Sequence, residues 1–357
     1  MTQVTLQTHH HRSIKHFIPG LALTAVITGA AVWAGSVPAI AGAGMSALTL
    51  AILFGMVIGN TVYPKLWQSC DGGVIFAKQH LLRLGIILYG FRLTFSQIAD
   101  VGVSGIVIDV LTLSSTFFIA CYLGQKVFGL DKHTSWLIGA GSSICGAAAV
   151  LATEPVLKPA DSKVAVAVAT VVVFGTLAMF LYPALWTLLQ HVAPGFWNET
   201  TFGVYTGATI HEVAQVVAAG RAIGPQAADA AVVSKMIRVM MLAPFLLVLS
   251  MWLARQTGNR TADSTRPRSR IQVPFFAVAF IVCVAINSTG LIPPAVVQAI
   301  VWIDDVALAC AMAALGLTTH TSAIRSAGPR PLALAAILFV WLIAGGALIT
   351  EGWHLLA

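Results

Sequence analysis

Residues 136–151 read WLIGAGSSICGAAAVL, an apolar stretch in which serines and a cysteine lie between glycines. The apolar residues suit a membrane helix, while the GSSICG segment at 141–146 favours a break in that helix. A break at membrane depth leaves backbone N–H and C=O groups that lipid cannot satisfy but a polar cavity or a bound ion can. The stretch therefore predicts an interrupted helix beside a binding site. The alternative is that its small residues only allow close helix packing.

The rest of the chain is equally apolar. Of its 357 residues, 58% are hydrophobic and 9% are charged, and the mean hydropathy is +0.87. Long apolar runs recur, each able to cross a hydrocarbon core about 30 Å thick and too long for the strands of a membrane barrel. We number them as predicted spans one to eleven, at 17–33, 44–62, 74–93, 102–123, 136–151, 164–189, 202–219, 230–254, 273–289, 296–317 and 331–349. The sequence predicts an all-α polytopic membrane protein.

The basic residues predict an orientation in the membrane. With the N-terminus in the cytoplasm, twelve loop lysines and arginines lie on the cytoplasmic side and four lie opposite. These four are Arg92, Lys158, Lys163 and Arg221. The positive-inside rule predicts such an excess, and an odd number of spans places the C-terminus on the far side. We therefore expect the basic residues to orient the chain rather than to bind nucleic acid.

Motifs for metal binding and catalysis are incomplete. The five cysteines include no CxxC pair, which predicts neither a disulfide framework nor a metal site. Residues 211–215 read HEVAQ, so Gln215 stands where the HExxH zinc motif needs its second histidine. The chain also lacks a GxSxG motif. We expect no metal, no cofactor and no enzymatic activity.

Two predicted spans share a pattern of charges. Spans three and eight each contain a lysine, a short gap and an arginine that opens an apolar run; the pairs are Lys78 with Arg83 and Lys235 with Arg238. Aligning these spans pairs span five with span ten, and a five-helix repeat must be inverted in the membrane. The predicted organisation is a tail at 1–16, an extra helix and loop at 17–43, a first repeat at 44–190, and a second repeat at 201–351 with a linker at 255–272.

Span ten ends in GLTTHTS at 316–322, a second cluster of glycine and hydroxyl residues. We expect spans five and ten to be crossed discontinuous helices, with the positive ends of half-helices facing an anion. Arg83 and Arg238 are costly to bury alone and suit an oxyanion, which accepts two parallel hydrogen bonds from a guanidinium. A structural acidic or carbonyl partner is the alternative for each arginine. Lys78 and Lys235 are expected to snorkel from helix ends.

Spans seven and four add polar candidates. His211, Glu212 and Gln215 share one face of span seven, which predicts a polar lining or a proton relay; a buried pair of Glu212 with an arginine is the alternative. Asp109, inside span four, could carry a proton or form a packing hydrogen bond, and the sequence leaves both open. The candidate substrate-binding residues are Arg83, Arg238, Ser142, Ser143, Cys145, Gly141, Gly146, Thr318, Thr319, His320, His211, Glu212 and Gln215.

Five segments resemble a known family. They are FIPGL at 17–21, CDGG at 70–73, LRLGIILYGFRL at 82–93, GSSICG at 141–146 and HEVAQVVAAG at 211–220. On these segments the chain resembles, along nearly its whole length, the sulfate exporter family of bacterial inner-membrane proteins. The resemblance implies an architecture like that of bile-acid transporters and sodium–proton antiporters, with two inverted five-helix repeats, and it implies export of sulfate or sulfite. It supplies no residue-level site.

These observations together predict a secondary transporter that exports a small oxyanion by alternating access. A cation–proton antiporter of the same fold is the first alternative, although spans five and ten lack a carboxylate cluster before Asp304 and Asp305, which we expect to be structural. An intramembrane enzyme is the second. We expect a multi-pass protein of the bacterial inner membrane with a cytoplasmic N-terminus and a periplasmic C-terminus. The expected partners are a small inorganic or organic anion, a coupling H⁺ or Na⁺, the lipid bilayer and, in a homodimer, a second copy.

Overall fold

A computed structural model describes residues 16–37, 46–256, 275–319 and 327–356, and every regular element in these ranges is a helix. We number the helices in chain order. They are α1 Ile18–Gly35, α2 Ala47–Thr61, α3 Tyr63–Arg92, α4 Phe95–Lys126, α5 Lys132–Ser143, α6 Ala147–Leu157, α7 Asp161–Val192, α8 Glu199–Thr209, α9 Val213–Ile223, α10 Pro225–Met240, α11 Leu242–Gln256, α12 Phe275–Ser288, α13 Pro294–Leu317 and α14 Pro329–Leu356. A π-helical turn at Ala77–Leu81 interrupts the regular geometry of α3.

Among the described residues, seven helices are long and apolar enough to cross a membrane. They are Ile18–Gly35, Tyr63–Arg92, Val101–Lys126, Ser162–Val192, Pro225–Leu253, Pro294–Leu317 and Pro329–Leu356. Shorter apolar helices include α2, α6, α9 and most of α12. The predicted all-α polytopic class is therefore confirmed.

The helices pack into two bodies. Body one contains α1, α2, α3, α12 and α13; body two contains α4 to α11 and α14. Glycines allow the closest approaches, because a side chain at Gly55 of α2 or at Gly316 of α13 would collide with the backbone of the other helix. In body two, Gly203 and Gly207 of α8 lie in the same way against α10. Small residues at helix contacts are the usual means of close packing in lipid, where no hydrophobic effect drives helices together.

Predicted span five is interrupted where the sequence indicated. Helix α5 ends at Ser143 and α6 begins at Ala147. Between them Ile144 leaves the helical region, and Gly146 takes φ 70°, a left-handed conformation that favours glycine. The predicted break in span five is therefore confirmed.

The chain then turns back instead of crossing. Asp131, which caps the start of α5, accepts a hydrogen bond of 2.7 Å from Lys163 at the start of α7. Two half-helices in line would separate these residues by roughly 35 Å. Burial alone would raise the pKa of Asp131, but hydrogen bonds from Lys163 and Thr134 outweigh it and hold the pKa at about 2. Helices α5 and α6 thus form a re-entrant hairpin, which we call hairpin one.

Predicted span seven is also a re-entrant hairpin, formed by α8 and α9, which we call hairpin two. Helix α8 ends at Thr209, the backbone at Ile210 and Glu212 is extended, and α9 begins at Val213. Gly224, which follows α9, lies so close to Glu199 at the start of α8 that a Cβ there would collide with the Glu199 carboxylate. The two ends of hairpin two therefore lie together.

The hairpins enter the bundle from opposite ends. Continuous helix α7, 32 residues and about 48 Å long, connects the base of hairpin one to the base of hairpin two. The prediction of eleven crossing helices is therefore wrong at spans five and seven, because each holds two half-helices that return. The predicted side of Lys158 and Lys163 is wrong for the same reason. Both follow hairpin one and lie on the same side as the loop between α4 and α5.

Predicted span ten is not a partner of hairpin one. Helix α13 is continuous from Pro294 to Leu317, and Thr318 and Thr319 follow its end. Thr319 accepts a hydrogen bond from Asn60 of α2 at 3.0 Å, and Thr318 accepts one from Lys78 of α3, also at 3.0 Å. The prediction that spans five and ten cross is therefore wrong: Gly316 serves close packing on α2, and hairpin one meets hairpin two. His320 lies outside the described residues.

Cysteine accessibility tests the return of hairpin one. In right-side-out cells treated with a membrane-impermeant maleimide, Lys126→Cys and Lys158→Cys are expected to show the same labelling, because both lie at one end of the bundle. His191→Cys, at the far end of α7, is expected to show the opposite labelling. If Lys158→Cys instead behaves like His191→Cys, α5 and α6 cross the membrane and the hairpin is wrong.

Candidate functional site

The tips of the two hairpins meet around Lys235 of α10. Its ammonium group donates to the carbonyl oxygen of Ile144 at 2.8 Å and to that of Ile210 at 2.6 Å, and the side chain is fully buried. Both carbonyls follow the ends of half-helices, where backbone acceptors have no helical partner. One cation thus satisfies an acceptor from each hairpin and stabilises their contact. We call this region, residues 142–146 and 209–212 with Lys235 and Arg238, the tip junction.

The two tips share a short sequence that lies outside the charge pattern of spans three and eight. Hairpin one reads GSSI at 141–144 and hairpin two reads GATI at 207–210, and each isoleucine carbonyl binds Lys235. This similarity pairs span five with span seven. It is also the signal that could have identified Lys235 as a junction residue rather than a snorkelling lysine.

Arg238 lies one turn after Lys235 on α10 and is also fully buried. Its Nε donates to the carbonyl oxygen of Ser143 at 2.6 Å. Its two terminal nitrogens, Nη1 and Nη2, have no hydrogen-bond partner among the described residues. Buried polar groups are almost always hydrogen-bonded, so these donors indicate a place for an acceptor from outside the chain.

Other buried polar atoms near the tip junction also lack partners in the described part of the chain. They are Gln215 Nε2, His211 Nδ1 and Asp109 Oδ1. His211 is close enough to Lys235 and Arg238 for both positive charges to act on its ring. The Gln215 amide lies against Gly175 of α7, where a Cβ would collide with it. Helices α4, α9 and α10 thus all bring polar groups to this region.

Glu212 connects the two hairpins directly. Its Oε1 accepts a long hydrogen bond of 3.4 Å from the backbone N–H of Ala147, the first residue of α6. A Cβ at Gly146 would collide with the Glu212 side chain. The carboxylate therefore faces the positive end of α6 rather than forming the arginine pair considered from the sequence.

The structure places the predicted site residues in two regions. Of the thirteen candidates, nine lie at or next to the tip junction: Arg238, Ser142, Ser143, Cys145, Gly141, Gly146, His211, Glu212 and Gln215. Arg83 is exposed on α3 of body one, and Thr318 and Thr319 lie at the end of α13. The prediction that Arg83 and Arg238 share one site is therefore wrong, because the shared order of a lysine followed by an arginine does not put the two arginines on equivalent helix faces. Among the described residues no group of three or more His, Cys, Asp or Glu is arranged to hold a metal ion.

A second charged cluster joins the two bodies, and we call it the inter-body ionic cluster. In body one, Arg92 of α3 binds Asp304 at 2.8 Å and Asp305 at 2.6 Å, both on α13. From body two, Arg221 of α9 contacts Asp305 at 3.3 Å. Tyr89 of α3 also donates to Asp229 of α10 at 2.9 Å. Asp304 and Asp305 thus have the structural role expected from the sequence.

Arg92→Gln tests this cluster. The change leaves the fully buried Asp304 carboxylate without its charge partner, so we expect the free energy of unfolding to fall by roughly 3–5 kcal/mol. Arg221→Gln removes only a long contact to the half-exposed Asp305 and should lower it by less than about 1 kcal/mol. Denaturant unfolding in detergent micelles measures both. Equal effects of the two variants would contradict the assignment of Asp304 as the buried partner.

Comparison with known proteins places this architecture in a family. The family described as "Conserved hypothetical protein 698" matches residues 19–335, which include both hairpins and the inter-body ionic cluster. The chain belongs to this family, UPF0324. The resemblance of the five segments to a family of bacterial inner-membrane proteins is confirmed, and the names of the family and of the relatives described below state no substrate.

Relatives within UPF0324 are close in sequence and length. The UPF0324 inner membrane protein YeiH of Escherichia coli strain K12 is 66% identical over 349 residues, which cover 98% of this chain and 97% of the relative. YeiH of Salmonella typhi is 66% identical over 354 residues, with 99% of each chain covered. A UPF0324 membrane protein of Yersinia pestis is 61% identical over 333 residues, covering 93% and 92%. With the apolar helices described above, these relatives make the chain a multi-pass inner-membrane protein.

Proposed function

We propose that this chain is a secondary transporter that carries a small oxyanion, with sulfate or sulfite as the leading substrate. The observation that carries the proposal is Arg238, whose two terminal guanidinium nitrogens are buried where the two opposed hairpins meet and have no partner among the described residues. A guanidinium offers two parallel donors, and an oxyanion offers oxygens at matching spacing. The family resemblance supports export as the direction of transport.

The balance of donors and acceptors favours an anion over a cation. Carbonyl oxygens at the tips, which could bind a cation, already accept hydrogen bonds from Lys235 and Arg238. Among the described residues, the unpartnered atoms near the tip junction are three donor nitrogens, on Arg238 and Gln215, one carboxylate oxygen, on Asp109, and His211 Nδ1, which can donate or accept. The positive N-terminal end of α9 also begins at the tip junction. A cation–proton antiporter would need more unpartnered acceptor oxygens than donor nitrogens at its site.

The two bodies supply a means of alternating access. The whole tip junction belongs to body two, which contacts body one chiefly through α4, α9 and α10. The meeting of the two opposed hairpin tips supports a binding site inside the bundle, between the two ends of α7. Movement of body two against body one would expose this site first to one side of the membrane and then to the other.

The hairpins also strengthen the proposed orientation. With Lys158 and Lys163 on the side of the α4–α5 loop, fourteen of the sixteen loop lysines and arginines share the side of the N-terminus. Only Arg92 and Arg221 remain opposite. By the positive-inside rule we propose a cytoplasmic N-terminus and a periplasmic C-terminus.

Flux measurements test the proposed function. Protein in proteoliposomes is expected to move radiolabelled sulfate or sulfite in a saturable way, with unlabelled oxyanions as competitors. The imposed gradients should include pH, sodium and the anion itself. If no oxyanion flux appears under any of these gradients and the protein exchanges sodium for protons, the chain is a cation–proton antiporter and the proposal is wrong.

A further inference from the structure

We propose that Asp109 carries a proton together with the anion, so that the tip junction binds an anion and H⁺ cooperatively. The inference rests on the proposed function and concerns its coupling ion. The starting observation is the fully buried Asp109 carboxylate on α4, which contacts Ser234 of α10 next to the buried Lys235 and has one oxygen without a partner among the described residues.

The surroundings of Asp109 leave it partly satisfied. Oδ2 accepts a hydrogen bond from the Ser234 hydroxyl at 3.3 Å, a proton that Ser234 shares with the Val204 carbonyl oxygen at 3.2 Å. Oδ1 has no partner in the described part of the chain. The charged groups that act on Asp109 are Arg238 and Lys235, both on α10. The other helices packed on α4, namely α5, α8, α12 and α14, add no further described charged group that acts on it.

Competition for Arg238 couples the proton to the anion. Without an anion, Asp109 is the described carboxylate that acts on Arg238, and both Asp109 and Glu212 act on Lys235. An anion at the free nitrogens of Arg238 brings a second negative charge into the same low-dielectric region, and a carboxylate beside a like charge favours its protonated form. Linkage is reciprocal, so protonation of Asp109 must strengthen anion binding by the same factor.

A row of buried hydroxyls gives the proton a route. Thr112 and Thr116 follow Asp109 at positions i+3 and i+7 on one face of α4, and both are fully buried with unpartnered hydroxyls among the described residues. Five other buried threonine hydroxyls bind a carbonyl three or four residues earlier in their helices: those of Thr153, Thr170, Thr206, Thr209 and Thr350. The two α4 hydroxyls are therefore available to water or a proton. They lead about 10 Å from Asp109 toward the Lys126 end of α4.

This coupling has a direction. The anion and the proton cross the membrane together, so an inward proton gradient drives the anion inward. Export then requires an outward anion gradient large enough to exceed it.

Calorimetric titration of sodium sulfate into the purified full chain tests the inference. In two buffers of different ionisation enthalpy, wild-type protein is expected to take up protons as sulfate binds. Its sulfate affinity should fall by up to about tenfold per pH unit as the pH rises past the range where Asp109 is protonated. Asp109→Asn mimics the protonated side chain, so it should bind sulfate without proton uptake and with less than about a twofold change per pH unit. Asp229→Asn, which alters a carboxylate of the inter-body ionic cluster, is the matched control and should keep the wild-type pH dependence.

The outcomes separate this inference from the proposed function. If wild-type protein binds neither sulfate nor sulfite, the oxyanion function itself fails. If it binds sulfate with no proton uptake, or if Asp109→Asn keeps the uptake, the function stands and the role of Asp109 is overturned. The wild-type measurement decides the question even if Asp109→Asn does not fold.

Discussion

Arg238→Gln is expected to reduce sulfate transport in proteoliposomes by roughly a hundredfold or more. Wild-type Arg238 has two buried terminal nitrogens with no partner in the part of the chain that the structure describes, and each charge-assisted hydrogen bond to an anion contributes about 1.5–3 kcal/mol. Gln keeps a donor that can reach the Ser143 carbonyl oxygen but loses the charge and the fork. Arg238→Lys should be intermediate, because a lysine retains the charge without the planar pair of donors.

Arg83→Gln provides the matched control for Arg238→Gln. Both arginines follow a lysine in an apolar helix, but Arg83 is exposed on α3 and lies outside the tip junction. We expect Arg83→Gln to transport sulfate at the wild-type rate. Initial rates at equal protein content, with circular dichroism to verify folding, provide the comparison. Equal losses in both variants, or full activity of Arg238→Gln, would remove Arg238 from the site.

The class of the fold and the break in span five could be predicted because each leaves a local signature. Composition alone requires helices that satisfy their own backbone in lipid. The tip of hairpin one needs a left-handed residue at Gly146, whose φ is 70°, so glycine marks the break in the sequence. Hairpin two has no such mark. At its tip, Ile210 and Glu212 have extended backbone conformations, which any residue can adopt.

The return of each hairpin could not be predicted from hydropathy. Helices α5 and α6 contain 12 and 11 residues, and two such half-helices have the combined length and apolar content of one crossing helix. The contacts that distinguish them are long-range, such as Lys163 with Asp131 across the base of hairpin one. Counting the span as a crossing helix then placed Lys158 and Lys163 on the wrong side. The charge pattern shared by spans three and eight likewise paired span five with span ten rather than with span seven.

The charged candidates show a similar limit. Arg83 and Arg238 have comparable surroundings in the sequence, and only packing shows that α3 exposes one while α10 buries the other. The sequence predicts that Lys235 lies near a helix end and extends its ammonium group to the membrane–water interface. Lys235 is buried because α8 and α9 pack on α10, and its ammonium group binds the carbonyl oxygens of Ile144 and Ile210 at the two hairpin tips.

Lys235→Met is expected to separate the hairpin tips. Met has a similar length but no donor, so the carbonyl oxygens of Ile144 and Ile210 lose the group that satisfies both. Hydrogen bonds to a charged group contribute about 1.5–3 kcal/mol each, and removal of a buried ammonium recovers part of that through its desolvation. We therefore expect the free energy of unfolding to fall by about 2–4 kcal/mol in detergent micelles.

The tip itself offers a local readout of Lys235→Met. Cys145 is buried at the tip of hairpin one with only 5% of its surface exposed, and its maleimide labelling should accelerate when the tips part. Lys78→Met is the matched control, because Lys78 donates to the single hydroxyl of Thr318 at the end of α13, outside the tip junction. Lys78→Met should leave Cys145 protected from maleimide, and its free energy of unfolding should fall by less than about 1 kcal/mol. If Lys235→Met is as stable as Lys78→Met and Cys145 stays unreactive, the tips remain closed without the shared cation. Another contact would then hold the hairpins together.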